Sequence, residues 1–333
     1  MVEIAPAAIG ATDFYAAQRA NQRATTILLA ALTVLAGGLG YLAGWALEAN
    51  HAAPDSYDAP RSIWFFSSWG LWFAIAVAAV SLGWSWISLR FGHRMVLAMT
   101  GGNQVTKEQE PQLHNIVEEL AIAAGRRPPS VYVVETAALN AFATGTSDQN
   151  AAIGVTRGLL NALNREELQG VIGHEMGHVA NLDTRYMTIV GVTVGLIALI
   201  ADLILRGTRW GVGGRRSRDS KGGGGAAILM IILIVVALLA PLAANLVRMA
   251  VSRQREYLAD ATSVRFTRNP AGLISALEKI DTSANSFPGV SKATEHLFII
   301  NPVHKMTARV SALMATHPDT AARIDRLRNL GIR

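Results

Sequence analysis

Four stretches of the chain carry almost no charge and alternate with segments of ordinary polarity. Residues 24–47, 62–89 and 226–247 contain no Asp, Glu, Lys or Arg, and residues 186–205 contain only Asp202. About 20 consecutive apolar residues are enough to cross the roughly 30 Å of hydrocarbon in a bilayer. The pattern therefore predicts an integral membrane protein with four candidate spans, separated by polar segments that fold outside the lipid.

The polar segments predict a domain that is mainly helical and has a small sheet. Apolar residues recur with a helical period over 111–124, and residues 131–134 form a short apolar run typical of a strand. Asn164 and Glu167 have the spacing of a capping box, which predicts the start of a helix over 165–181. Further strands are expected at 140–145 and 152–156, and further helices over 248–268, after Asn269-Pro270 and after His317-Pro318.

These elements predict a mainly α integral membrane protein whose soluble α+β domain is interrupted by a hydrophobic helical hairpin. None of the patterns indicates an oligomeric state. The expected parts, in chain order, are an N-terminal tail (1–23), a two-span membrane anchor (24–89), the first half of the domain (90–185), the third and fourth hydrophobic segments with a Gly/Arg-rich linker (186–247), and the helical second half (248–333).

Composition supports a membrane protein and narrows the chemistry. Hydrophobic residues make up 51% of the chain and charged residues only 16%, whereas soluble domains carry about 25% charged residues. The net charge of +6 is typical of contact with anionic headgroups, so we expect the lipid bilayer, and not nucleic acid, as a partner. Cysteine is absent, so any metal has to be held by histidine and carboxylate side chains.

The distribution of basic residues predicts an orientation but leaves one conflict. Four arginines flank the first two candidate spans on the same side: Arg19, Arg23, Arg90 and Arg94. The positive-inside rule then places residues 90–185 in the cytoplasm. The segment 206–221 is also rich in Arg and Lys, and it would lie on the opposite side if the third and fourth segments both crossed. Either this hairpin only dips into the membrane, or the segment breaks the rule, or the whole topology is inverted. Whether segments 186–205 and 226–247 both span the membrane therefore stays open at this point.

The helix expected at 165–181 contains two histidines four residues apart, His174 and His178, with Glu175 between them. Side chains four apart lie on one helical face, so both imidazoles can reach one ion. Glu175 lies about 100° around the helix axis from His174, which lets its carboxylate reach a water on the ion rather than the ion itself. The motif predicts a zinc ion whose water is deprotonated by Glu175 and attacks a carbonyl. The alternative is an ordinary pair of structural histidines.

A catalytic zinc site takes three protein ligands and keeps a position for water, so a third ligand is required. Glu256 and Asp260 lie four residues apart on one face of an expected helix. That spacing suits a carboxylate ligand followed by a second carboxylate that orients a ligating histidine. His178 precedes Tyr186, the start of the third hydrophobic segment, by eight residues, and Glu256 follows Arg248, at the end of the fourth, by eight. This spacing favours a site close to the membrane surface. The spacing alone leaves open that Glu256 is a surface acid beside neighbouring arginines.

Four segments occur in an order that matches a known family. They are HEMGHVAN (174–181), SRQREYLADA (252–261), NAFATG (140–145) and THP (316–318) before Arg323-Ile324. Over residues 90–330, and in its two-span anchor, the chain resembles the HtpX-like membrane zinc endopeptidases, which are gluzincins related to the CAAX prenyl proteases. The resemblance implies a gluzincin-like metalloprotease domain with one Zn²⁺ per chain. It also implies a stress-response enzyme of the bacterial cytoplasmic (inner) membrane that faces the cytoplasm and clears misfolded membrane proteins.

The resemblance also assigns roles to single residues of the motifs. It implies that Glu256 is the third metal ligand. It implies that Asn140, Ala141 and Phe142 lie in an edge strand that aligns a polypeptide substrate, since an unpaired strand edge can bind an extended backbone whatever its side chains. The alternative for this segment is a turn after a short strand.

The remaining histidines and polar residues are less informative. The resemblance implies that His317 stabilises the oxyanion or caps the zinc in a resting state, whereas the sequence itself is equally consistent with a helix N-cap. Helix capping explains Asn181 and Asp183 without chemistry, and His296 and His304 have no assigned role. The Gly/Arg-rich insert and the extended N-terminal tail depart from the family.

We therefore expect a membrane-bound zinc endopeptidase that cleaves misfolded or damaged membrane proteins near the membrane surface. A second hypothesis is a processing protease for a specific lipidated or signal-bearing peptide. The alternative without catalysis is a membrane scaffold with a structural metal site. Structural zinc sites usually have four protein ligands, which are often cysteines, and this chain contains no cysteine. The sequence indicates no cleavage-site preference.

Overall fold

The computed structural model describes residues 11–51, 66–211, 253–283 and 319–330, with side chains omitted at 198–211 and at a few positions near the ends of the first and last helices. The chain divides into two compact units. We call the one that contains the sheet the mixed unit, and the other the helical unit. The mixed unit comprises Met1–Thr25, Leu89–Gly195 and Leu246–Arg333, and the helical unit comprises Thr26–Ser88 and Leu196–Asn245.

Two long helices, α1 (Ala11–His51) and α2 (Ser68–Thr100), contain the first two candidate spans. Their apolar stretches, Gln18–Trp45 and Ser68–Thr100, are long and apolar enough to cross a bilayer. Many of their large apolar side chains are exposed, among them Val34, Trp72 and Val80, as a lipid-facing surface requires. The helices approach closely at Gly44, where an added Cβ would lie 2.5 Å from the carbonyl oxygen of Trp69. Small residues at such contacts are typical of helix pairs in lipid.

The third hydrophobic segment is helical and lies within α6 (Asp183–Gly211). Its first residues belong to the mixed unit, where Ile189 and Val190 are completely buried. Thr188 ties this part of the helix to the sheet, because its hydroxyl accepts a hydrogen bond from the Gly145 amide at 3.0 Å. The fourth segment, 226–247, lies outside the described residues, so the crossing of both segments stays a prediction.

The sheet of the mixed unit has four strands in the spatial order β1-β2-β4-β3. They are β1 (Asn103–Gln104), β2 (Ser130–Val134), β3 (Ala141–Thr144) and β4 (Ala152–Thr156). Strands β2 and β4 are parallel, and β1 and β3 flank them as antiparallel partners. Strand β3 is therefore an edge strand of the described sheet. Its Phe142 pairs with Gly154, whose missing side chain leaves the room that the Phe142 ring occupies.

Helices cover the sheet and form the core with it. They are α3 (Pro111–Ala124), α4 (Arg157–Ala162), α5 (Arg165–Ala180), α7 (Arg253–Thr267), α8 (Pro270–Thr282) and α9 (Thr320–Leu330). Residues of α3 and α5, among them Ile116 and Ile172, pack with Ile153 of the sheet in one hydrophobic cluster. Helix α5 is central, because nearly all of its residues after the first turn are buried.

Three glycines let α5 approach the helices of the second half of the domain. An added Cβ at Gly170 would lie 2.7 Å from the Leu273 amide nitrogen, and one at Gly173 would lie 2.7 Å from the Ser263 hydroxyl. At Gly177 the nearest atoms belong to Ala259 and Thr262 of α7. The glycines share one side of α5, so larger residues at Gly173 and Gly177 would push α7 away from α5, and a larger residue at Gly170 would push α8 away. This close contact brings the downstream carboxylates to the histidine helix.

Most of the predicted elements are present. The helix over 111–124 is confirmed, and Asn164 and Glu167 form the capping box that begins α5. The three predicted strands and the helix after Asn269 are also present, and α7 accounts for the described part of 248–268. Two short elements, β1 and α4, were not expected. The N-terminal tail is helical from Ala11 onward, as the beginning of α1.

Candidate metal centre

Two histidines of α5 and one glutamate of α7 converge in the interior of the mixed unit. The Nε2 atoms of His174 and His178 lie 3.2 Å apart. The Glu256 carboxylate lies 3.6 Å from each of them, through Oε2 to His174 and through Oε1 to His178. All three side chains are buried. The structure therefore brings together the three residues that the sequence and the resemblance nominated as ligands.

Hydrogen bonds to the outer ring nitrogens determine which nitrogen carries the hydrogen when each imidazole is neutral. His174 Nδ1 lies 2.8 Å from Asp260 Oδ1, and His178 Nδ1 lies 3.0 Å from Asp183 Oδ2. A carboxylate can only accept, so each Nδ1 carries the hydrogen and donates it. In the neutral rings, both Nε2 atoms then present lone pairs to each other and to the Glu256 carboxylate. The lone pairs of these acceptors repel one another unless a cation lies between them.

The spacing of these acceptors fits a tetrahedral metal ion. With metal–ligand bonds of about 2.0–2.1 Å, neighbouring ligand atoms around tetrahedral zinc lie about 3.3–3.4 Å apart. The two Nε2 atoms lie 3.2 Å apart, and each lies 3.6 Å from a different oxygen of Glu256. One ligand atom from each of the three residues lies within 4.8 Å of the other two. His174, His178 and Glu256 therefore fit one divalent ion and leave its fourth position for water or substrate.

The carboxylate behind His174 is held by an arginine from the far end of the described chain. Arg323 of α9 donates from Nε and Nη2 to the two oxygens of Asp260, at 2.9 and 2.7 Å. Both side chains are almost completely buried. Burial alone would raise the pKa of Asp260, but the charge of Arg323 and the hydrogen bond with His174 lower it to about 2. Asp260 is therefore an anion next to the His174 imidazole, and its role of orienting a metal-bound histidine stays a prediction.

The histidines themselves are basic in the absence of a metal. Burial and the charge of Arg323 lower the pKa of His174, but hydrogen bonds with Asp260 and Glu256 outweigh them and raise it to about 9. Burial also opposes protonation of His178, and Asp183 and Glu256 raise its pKa above the usual range. A proton thus occupies the metal-free centre at neutral pH, and a cation that binds has to displace it.

Asp183 and Arg323 are the two parts of the centre whose contacts the sequence did not predict. Asp183 was explained by helix capping alone, yet its side chain is completely buried and accepts from His178. A signal for it was its position five residues after His178, a candidate metal ligand. Arg323 was noted only as part of a family motif, because nothing in its local sequence pairs it with Asp260.

The other predicted site residues are placed as follows. Glu175 is buried on α5 next to His174. Asn140 leads into the edge strand β3, and Ala141 and Phe142 are its first two residues; all three side chains are buried. His317, like His296 and His304, lies outside the described residues.

Known proteins are similar to this chain along most of its length. The model of Peptidase family M48 matches residues 107–331. The "Protease HtpX homolog" of Thermoanaerobacter pseudethanolicus is 44% identical over 268 residues, which cover 80% of this chain and 88% of that protein. The "Protease HtpX homolog" of Streptococcus uberis is 37% identical over 310 residues, which cover 93% of this chain and 97% of the relative.

A solved structure, that of S. mikatae Ste24p, aligns with a TM-score of 0.45 at 16% identity and covers 93% of this chain and 66% of its own. The family model matches more than half of the chain, and the two relatives are similar along most of their length. The apolar stretches of α1 and α2 are long and apolar enough to cross a membrane. This chain is a membrane metalloprotease and belongs to peptidase family M48.

Proposed function

We propose that this membrane metalloprotease is a zinc-dependent endopeptidase that cleaves misfolded or damaged membrane proteins close to the membrane surface. The observation that carries the proposal is the convergence of acceptor atoms from three side chains at 3.2–3.6 Å, with Glu175 on the same helix as two of these side chains. One Zn²⁺ per chain would be held by His174, His178 and Glu256. When bound, the ion would lower the pKa of a water molecule and polarise the carbonyl of the scissile peptide.

The chain's own residues supply the remaining chemistry. The carboxylate of Glu175 accepts a proton from the attacking water and later gives it to the leaving amine nitrogen. Asp260 and Asp183 hold the imidazole rings of His174 and His178 so that their Nε2 atoms face the ion. His317 is proposed to stabilise the negative charge that develops on the carbonyl oxygen.

Substrate is proposed to bind as an extended chain along β3, at Asn140, Ala141 and Phe142. The side chains of these residues are buried, and Phe142 packs on Gly154. Recognition there would use backbone N–H and C=O groups, which every polypeptide offers. Backbone recognition supports an enzyme that accepts many unfolded proteins over one that selects a single peptide.

The test is zinc analysis together with casein cleavage by purified protein. Glu175→Gln should abolish cleavage and retain about one zinc per chain, because it removes the base and leaves the proposed ligands intact. His174→Ala should lose the zinc, because it removes a ligand. Glu166→Gln is the matched control, since Glu166 is an exposed glutamate on α5. Equal cleavage by wild type and Glu175→Gln would contradict the assignment of the base, and unchanged zinc in His174→Ala would contradict the ligands.

The substrate class is tested with several unrelated membrane proteins, each supplied folded and unfolded. We expect cleavage of the unfolded forms. Cleavage of a single lipidated or signal-bearing peptide alone would identify a processing protease instead. A zinc-loaded wild type that cleaves nothing would favour a scaffold with a structural metal.

The location is proposed to be the bacterial inner membrane, with the mixed unit in the cytoplasm. The support is the set of arginines that flank the first two apolar stretches, among them Arg19, Arg23 and Arg90. The orientation and the number of crossings are tested with single cysteines introduced at residue 130 and near residue 215. Each cysteine is labelled with a reagent that cannot cross the membrane. Labelling of residue 130 from outside intact cells would contradict the proposal.

A further inference from the structure

The first turns of α1 contact the end of the histidine helix, although the sequence predicted only a tail and a membrane anchor here. Residues up to Thr25 belong to the mixed unit. Gln18 donates from Nε2 to the Ala180 carbonyl oxygen at 2.7 Å. Asn21 donates from Nδ2 to the Asn181 carbonyl oxygen at 3.1 Å, and its side chain is 8% exposed. The last carbonyls of a helix have no partner inside it, and these two amides supply one.

Asn21 also reaches the carboxylate that orients a ligating histidine. Its Nδ2 donates to Asp183 Oδ1 at 2.6 Å. The other oxygen of that carboxylate, Oδ2, accepts from His178 Nδ1 at 3.0 Å. A continuous series of hydrogen bonds therefore joins Asn21 to Asp183 and Asp183 to His178.

The backbone between the two contacts of Asn21 is strained. Leu182 lies between Asn181 and Asp183 and has a φ of 57°, in the left-handed region. That conformation costs a residue with a side chain roughly 1–2 kcal/mol. It allows α6 to begin directly after α5 and turns Asp183 back toward His178. Because Asn21 bonds to the residues on both sides of Leu182, it holds this turn closed.

We propose that Gln18 and Asn21 are positioning residues of the metal centre, which act through Asp183 on His178. The inference rests on the proposed function, because it needs a cation at His178. Without Asn21, the buried Asp183 loses the donor to Oδ1 and can rotate, and the imidazole that it holds then leaves its ligating orientation. Gln18 acts more weakly, because it holds the end of α5 and does not touch Asp183.

The test is a double-mutant cycle on zinc affinity, made with the full-length protein in detergent micelles. The variants are Asn21→Ala, Asp183→Ala and the two combined, with Gln18→Ala as a graded case. Gln22→Ala is the control, because Gln22 is an exposed amide on the next position of α1. The affinity is measured by competition with a coloured chelator.

We expect Asp183→Ala to weaken zinc binding by about 10- to 100-fold, as for other partners of a ligating histidine. Asn21→Ala should weaken it about fivefold, the equivalent of one ordinary hydrogen bond. Gln18→Ala should fall between Asn21→Ala and wild type, and Gln22→Ala should match wild type. The double variant should bind no more weakly than Asp183→Ala alone, because the effect of Asn21 passes through Asp183.

Wild-type affinity in Asn21→Ala would overturn the inference, and so would a double variant in which the two losses multiply. If Asn21→Ala does not fold, Asn21→Asp provides the same test. It keeps the size of the side chain but places a carboxylate against Asp183, so zinc binding should again weaken, and unchanged affinity would overturn the inference. A wild type that binds no zinc would instead refute the proposed function.

Discussion

Replacement of Arg323 by methionine tests the electrostatic design of the centre most directly. Arg323→Met keeps most of the apolar volume and removes the guanidinium group that donates twice to Asp260. Both residues are almost completely buried, so water cannot replace the lost partner without a rearrangement. The variant therefore leaves a buried carboxylate that still accepts a hydrogen bond from His174.

The size of the effect follows from the burial of the pair. Removal of one partner from a buried ion pair costs about 3–5 kcal/mol, because the other charge stays uncompensated. For a domain of this size, each kcal/mol lowers the melting temperature by about 2–4 °C, so we expect a fall of about 6–20 °C. Arg328→Met on the same helix is the matched control. Arg328 pairs with Glu278 at 3.2 Å on the surface, and such exposed pairs contribute at most about 1 kcal/mol.

The effect should depend on pH in a defined direction. The pKa of Asp260 is lowered from 3.8 to about 2 in the folded protein. A carboxyl group whose pKa is lower in the folded than in the unfolded protein stabilises the fold. The stabilisation is complete at a pH above the pKa of the unfolded state, and it disappears as the pH falls through the pKa of the folded state. The pH-dependent contribution of Asp260 to the free energy of unfolding amounts to about 2 kcal/mol. The difference between wild type and Arg323→Met should therefore be complete at pH 7 and should shrink between pH 4 and pH 2.

The assay is differential scanning calorimetry of metal-free protein in detergent micelles, at several pH values. A chelator is present throughout, so that loss of zinc at low pH does not contribute to the result. Equal melting of Arg323→Met and Arg328→Met would refute the reasoning. A difference between wild type and Arg323→Met that grows as the pH falls toward 2 would also refute it.

Two further predictions concern the metal and the packing of α5. Because the pKa of metal-free His174 is about 9, zinc has to displace a proton when it binds. The zinc affinity should therefore weaken about tenfold for each pH unit below 9. A zinc affinity that stays constant from pH 8 to pH 6 would contradict this prediction. Gly170→Ala places a Cβ 2.7 Å from the Leu273 backbone and should destabilise the mixed unit by about 1–3 kcal/mol. Gly83→Ala, which has nothing within 4 Å of its added Cβ, should melt like wild type, and calorimetry compares the two.

The part of the centre that lies within one helix could be predicted from the sequence. Residues four apart on a helix face the same way whatever surrounds them, so His174 and His178 needed no tertiary information. Asn164 and Glu167 likewise located the start of α5 by a purely local pattern. Glu256 lies on another helix, and only the resemblance to a family distinguished it from a surface acid.

The supporting residues could not be predicted, because they meet only in the folded chain. Asn21 comes from the first helix and Arg323 from the last described one, and no local period connects either with α5. The contact of Asp183 with His178 could not be predicted either, although the two residues are close in the sequence, because it depends on the left-handed turn at Leu182. The two residues of β1 are too few to form a pattern, and they are recognisable as a strand only by their pairing with β2.

The position of Arg323 on α9 has a consequence for biosynthesis. The ligands and Asp260 leave the ribosome before the helix that neutralises Asp260 does. The Asp260 carboxylate has no guanidinium partner until translation has passed α9, because both hydrogen bonds from Arg323 come from this helix. A chain that stops before α9 therefore lacks the counter-charge next to His174.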